Sequence, residues 1–97
     1  MNEIQINVKN NIVNIYGDIN FHNIVHTLNI CINKTNDLQN IKVDLKNIEN
    51  PNSCTLIFII NYIRSSMKKK QSIKFINIPV LLNDLSKVYN LNHIIAK

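Results

Sequence analysis

Ser53 is the side chain best placed for chemistry in this sequence. It stands in Asn50-Pro51-Asn52-Ser53-Cys54-Thr55, where the alternating segment Val43-Asp44-Leu45 has ended and an apolar helix is about to begin. In α/β proteins the carboxyl end of a strand is where ligands and partners are met. A helix start leaves its first backbone N–H groups unpaired, so an oxygen on Asn52 or Ser53 has donors to satisfy as an N-cap. The same unpaired groups favour an anion, so a phosphate carried by Ser53 would be tolerated there.

The other reactive side chains assemble into nothing comparable. His22 and His26 lie one helical turn apart, as two metal ligands can, yet no carboxylate or cysteine of the same helix completes a set and His93 is distant. They are read as solvated histidines, and no metal is expected. Cys31 falls on an amphipathic helix and Cys54 in a first turn that could lower its pKa, but neither has an identifiable base for nucleophilic chemistry. No glycine-rich loop offers a phosphate cradle, because Gly17 is the only glycine. The reading therefore expects no catalytic residue, no cofactor and no enzyme.

At 97 residues the chain is long enough for one core, and it is read as one domain over residues 1–97. Asparagine and isoleucine each supply nearly one residue in five, and lysine outnumbers arginine ten to one. These are residues of AT-rich codons, so asparagine counts carry little functional weight. The formal charge of +5 could mark a polyanion partner, but the lysines are scattered apart from Lys68-Lys69-Lys70. That triplet falls where the longest helix should end and complements its dipole, so no nucleic-acid partner is expected. Cys31 and Cys54 lack CxxC spacing and no apolar leader precedes the first strand, which predicts a cytoplasmic protein with reduced thiols. The longest apolar run, Leu56 to Ile60, is five residues against the roughly 20 that span a bilayer, so no direct membrane insertion is expected.

The elements that would position Ser53 follow from periodicity. Ile4, Ile6 and Val8 alternate with polar residues, as do Ile12 and Ile15, with Lys9-Asn10-Asn11 as the turn of a hairpin. Gly17-Asp18 should break the second strand. Phe21, Ile24, Val25, Leu28 and Ile32 mark one helix face, with Asn20 as its N-cap. Ile41, Val43 and Leu45 read as a strand. Ser53 to about Met67 is a helix buried on most of its surface, because Leu56, Ile60, Ile63 and Met67 keep a helical period over a span too long for a strand. A strand from Ser72 to Ile76 and a last helix with Pro79 in its first turn and Leu81, Leu82, Leu85, Val88 and Tyr89 as its apolar residues complete the order ββαβαβα. That order predicts an α/β fold, a mixed sheet with helices packed on it.

Order and residues together resemble the STAS domains, the small α/β modules of sulfate transporters and anti-sigma factor antagonists, and within them the MlaB-type cytoplasmic subunits of phospholipid ABC transporters. The resemblance rests on Ile15-Tyr16-Gly17-Asp18, similar to the family's hydrophobic-x-Gly-acidic/polar element, on Val43-Asp44-Leu45, and on Leu85-Ser86-Lys87-Val88-Tyr89-Asn90-Leu91, similar to the MlaB tail pattern. The family's Asp-Ser/Thr-x-Gly/Ala turn is represented here by Asn52-Ser53-Cys54-Thr55, which keeps only the hydroxyl residue. The resemblance implies a non-catalytic subunit that binds and stabilises the MlaF-like ATPase of such a transporter, with its permease, in the maintenance of outer-membrane lipid asymmetry. It implies a cytoplasmic chain, peripheral at the inner membrane through that partner. The contact would be Asn52, Ser53, Cys54 and Thr55, with Gly17 and Asp18 on the same rim. The alternative it implies is an anti-sigma factor antagonist switched by phosphorylation of Ser53.

Overall fold

Asn10 and Asn11 both adopt left-handed backbone, with φ of 52° and 65°, and this double positive turn closes the first hairpin in the hand that matches strand twist. The computed structural model describes residues 4–89. In it β1 (Gln5–Lys9) pairs antiparallel with β2 (Ile12–Asp18), placing Ile6 opposite Ile15 and Val8 opposite Val13. Val13 and Ile15 are the buried phase of β2, and Ile12 faces the other way.

Helix α1 (Ile24–Lys34), β3 (Asn40–Asp44), β4 (Ile48–Glu49), α2 (Ser53–Lys68), β5 (Ser72–Ile76) and α3 (Val80–Val88) follow. The strands lie in the order β1-β2-β3-β5, with β3 parallel to β2 and β5 parallel to β3. The result is the expected mixed α/β sheet in the order ββαβαβα, with the two-residue β4 added in the β3–α2 connection. Both crossovers advance in the same direction across the sheet, so right-handed connections put α1 and α2 on one face. That face carries Val13, Ile15, Ile41, Val43 and Phe75, and with Cys31, Leu56, Phe58, Ile59, Tyr62 and Leu82 it forms one core. Tyr62 meets Phe75 edge-on, with ring centroids 6.1 Å apart.

Several expectations need correction. Gly17 does not break β2, which ends one residue later at Asp18. The strand continues through Gly17, whose φ of 116° only glycine adopts freely, and changes neighbour from β3 to β4. Asn20 is not the N-cap of α1; that position belongs to Asn23, and Asn20 instead stabilises the preceding turn by accepting from the His22 and Asn23 N–H groups at 2.9 and 3.2 Å. Phe21 is 82% exposed and Val25 70% exposed. The face that α1 buries is Ile24, Thr27, Leu28 and Cys31, the same period rotated onto less apolar residues. On α2, Met67 faces solvent and the buried set is Leu56, Phe58, Ile59 and Tyr62. On α3, Leu82 is buried and Leu85 partly so, whereas Leu81, Val88 and Tyr89 are exposed. His93 and the last two residues of the tail pattern, Asn90 and Leu91, lie outside the described residues.

Candidate functional site

The carboxyl end of the sheet and the first turn of α2 meet on one rim. Asn50 takes a left-handed φ of 48° to turn the chain, and Asn52 is extended, at φ −154° and ψ −169°. Asn52 is the N-cap: its Oδ1 accepts from the Cys54 N–H at 2.8 Å, and its own N–H donates to Thr55 Oγ1 at 3.2 Å. This reciprocal arrangement satisfies donors at both sides of the cap. Asn52 Nδ2 also donates to the Asn50 carbonyl at 2.8 Å, which fixes the turn.

The four residues therefore divide their tasks. Asn52 and the fully buried Thr55 hold the helix start, and Cys54 packs partly against the core. Ser53 is exposed, and its hydroxyl makes no hydrogen bond among the described residues. Ile57, one turn further along α2, is 49% exposed, so a free hydroxyl and an apolar side chain share one accessible face.

Gly17 and Asp18 reach this rim through β4. Gly17 pairs with Ile48 and Asp18 with Glu49, and the Gly17 N–H donates to the Asn47 carbonyl at 3.3 Å. The structure thus brings the end of β2 beside the segment leading into Asn52. Asp18 anchors the approach to α1, its carbonyl accepting from Asn23 Nδ2 at 2.8 Å. Its carboxylate Oδ1 is buried without a hydrogen-bond partner among the described residues.

Asp44, at the end of β3, is a rim residue that sequence spacing did not single out. It is almost fully buried, and its Oδ1 accepts from Asn77 Nδ2 and from the Lys46 N–H, both at 3.0 Å, with the Lys46 ammonium 3.9 Å from Oδ2. Burial pushes its pKa up, but the Asn77 and Lys46 hydrogen bonds and the Lys46 charge outweigh it and hold the carboxyl below its usual value. Asn77 itself turns at φ 55° just after β5, so this knot ties the ends of two parallel strands. Its only signal in the sequence was an acid where β3 stops.

The Cys31 thiol is fully buried, and burial pushes its pKa up to about 12, against a smaller opposing effect of Lys34. Both cysteines are free. His22 and His26 are exposed on α1. Among the described residues there is no group of three or more side chains suited to hold a metal, and no helix is long and apolar enough to cross a membrane.

No protein-family profile and no curated protein sequence matches the chain. Solved structures do. A candidate anti-sigma factor antagonist from Thermotoga maritima superposes with a TM-score of 0.73 at 14% identity, over 95% of this chain and 82% of that one. The anti-sigma factor antagonist SpoIIAA in its unphosphorylated form superposes with a TM-score of 0.61, also at 14% identity, over 91% of this chain and 82% of that one. At that level of identity the likeness speaks for architecture: the chain has the STAS fold of these antagonists.

Proposed function

We propose that this chain is a non-catalytic regulatory module of the STAS type, which binds a partner protein through the amino-terminal end of α2 and is switched by phosphorylation of Ser53. The observation that carries the reading is the division of labour at the helix start. Asn52 and Thr55 complete the cap, so the exposed Ser53 hydroxyl is free to be modified without loosening the helix. A phosphate there would be favoured by the helix terminus and would set nearly two negative charges beside Ile57, enough to disrupt an apolar contact centred on that residue. The fold shared with anti-sigma factor antagonists supports this mode over the others.

A second reading uses the same surface without modification. Asn52 stands where the family's turn has an acid, and Cys54-Thr55 replace the residues that follow the hydroxyl in that turn. This favours constitutive docking on the ATPase of a phospholipid ABC transporter, with the chain held at the inner membrane by that complex.

Affinity purification from the native host, from cytosol and detergent-solubilised membranes alike, separates the two. With the tagged wild type and Ser53→Ala, a kinase or a sigma-factor inhibitor should be recovered, and Ser53→Asp should lose it. Recovery of an ABC ATPase with its permease, by all three forms alike, would replace the switch with the transporter reading.

A further inference from the structure

The face of the sheet turned away from the helices carries a row of lysines that neither the core nor the α2 terminus uses. Register places Lys9 of β1 opposite Ile12 of β2, Ile12 opposite Lys42 of β3, and Lys42 opposite Lys74 of β5. All three lysines are exposed. With strands about 4.8 Å apart, the row spans roughly 14 Å across the sheet, and Lys42 and Lys74 are immediate neighbours. Like charges directly opposed on adjacent strands repel, so this arrangement is intrinsically unfavourable and an anionic surface would relieve it.

The carboxylates on this face lie elsewhere. Among the described residues Asp44, already tied to Lys46 and Asn77, Asp18 and its register partner Glu49 sit at the carboxyl ends of their strands. The face is therefore polarised, positive toward the start of β2 and β3 and acidic toward the rim that bears Ser53. Its chemistry suits a flat polyanion better than a threaded one. The described fold measures 33 × 33 × 20 Å along its principal axes. Its cations are lysines, which act as point charges, while the sole arginine, Arg64, is on α2. Among the described residues Tyr16 is the one exposed aromatic on the face, whereas single-stranded nucleic acids need successive stacking platforms.

We infer that the open sheet face adsorbs electrostatically to a bilayer of anionic lipid, with Lys9, Lys42 and Lys74 toward the headgroups and the Ser53 rim turned away and free for a protein partner. No insertion is involved. Each lysine near such a surface contributes about a fivefold gain in partition, and the three together on the order of a hundredfold.

Co-sedimentation of the full chain with vesicles of phosphatidylglycerol in about twice as much phosphatidylcholine tests this. Binding is expected at low salt, should weaken toward physiological salt, and should be absent with phosphatidylcholine alone. The triple Lys9→Gln/Lys42→Gln/Lys74→Gln should lose on the order of a hundredfold, and the equally charged triple Lys68→Gln/Lys69→Gln/Lys70→Gln should lose far less. Thermal melts establish that both triples are folded. Should the first not fold, the single variants Lys9→Gln and Lys74→Gln should each lose about fivefold. Equal losses from both triples, indifference to lipid charge, or retention of a single-stranded oligonucleotide by a chain that ignores the vesicles would each overturn the inference.

Discussion

The two ends of α2 are built for different purposes. Toward the carboxyl end the buried polar side chains are hydrogen-bonded. Tyr62 Oη lies 2.7 Å from Thr35 Oγ1 and donates to the Cys31 carbonyl at 3.2 Å, and Ser66 Oγ donates to the Ile63 carbonyl at 2.8 Å. The Gln71 side chain donates to the carbonyls of Thr35 and Leu38, both at 2.8 Å, closing the end of α1 at the same time. The chain leaves α2 through a Schellman motif, with the Lys70 N–H on the Met67 carbonyl and the Gln71 N–H on that of Ser66. At the amino end the backbone is capped just as carefully, but Ser53 and Ile57 are left facing solvent. Buried side-chain hydrogen bonds are concentrated where α2 meets α1 and β5, whereas at the rim a fully capped backbone leaves Ser53 exposed. A surface that can gain a phosphate or a partner without disturbing the core is what a regulatory module requires.

Substitutions at the two ends should separate accordingly. Tyr62→Ala removes a buried ring and both hydroxyl contacts, and should cost about 3–5 kcal/mol in chemical denaturation. A loss below about 1 kcal/mol would mean that the α1–α2 contact is not the stable end.

Asp44→Asn should cost about 1–3 kcal/mol at neutral pH, by removing the charge from its bonds with Asn77 and Lys46. Because the folded carboxyl titrates below its unfolded value, its contribution is complete above the ordinary carboxylate range and is lost as pH falls through the lowered folded value. Stability curves of wild type and Asp44→Asn should therefore converge in acid. Parallel curves at all pH values would show that the knot does not hold the charge.

Lys70→Gly should act in the opposite direction. Lys70 sits in the left-handed C′ position at φ 57°, where glycine avoids the Cβ clash, so the variant should gain about 1 kcal/mol. No change in melting temperature would indicate that the motif is already relaxed. The smallest effect should come from Ser53→Asp, within about 0.5 kcal/mol of wild type, since Asn52 keeps the cap and an acid in the first turn suits the dipole. The same substitution should nevertheless abolish partner binding. Unfolding of this variant would move Ser53 from the binding surface into the structural cap.

Much of this was legible in the sequence because each strand and helix carried its own period. The alternation of Ile6 with Val8 and of Ile41 with Val43, and the Asn10-Asn11 turn, fixed the hairpin and the central strand by local rules. The errors arose where two local rules competed. Of the apolar residues expected on α1, Phe21 lies ahead of the helix and Val25 faces solvent, while Ile24, Leu28 and Ile32 do pack on the core, together with Thr27 and Cys31, which are small enough to approach the sheet closely. Gly17 read as a breaker because glycine weakens a strand interior, and β4, at two residues, is shorter than any periodicity can reveal. At the site, the position of Ser53 at a helix start was readable, but which of Asn52 and Ser53 would cap it depended on backbone geometry. The Asp44–Asn77 knot joins residues 33 positions apart and has no local signature. The lysine row was likewise hidden, since Lys9, Lys42 and Lys74 look scattered until strand register aligns them.

If Ser53 is a phosphorylation switch, intact-mass spectrometry of the chain isolated from its native host will find a population carrying one phosphate, located on Ser53 by fragmentation and abolished by Ser53→Ala. A chain that is unmodified under every growth condition, or that carries its phosphate on another residue, would contradict it.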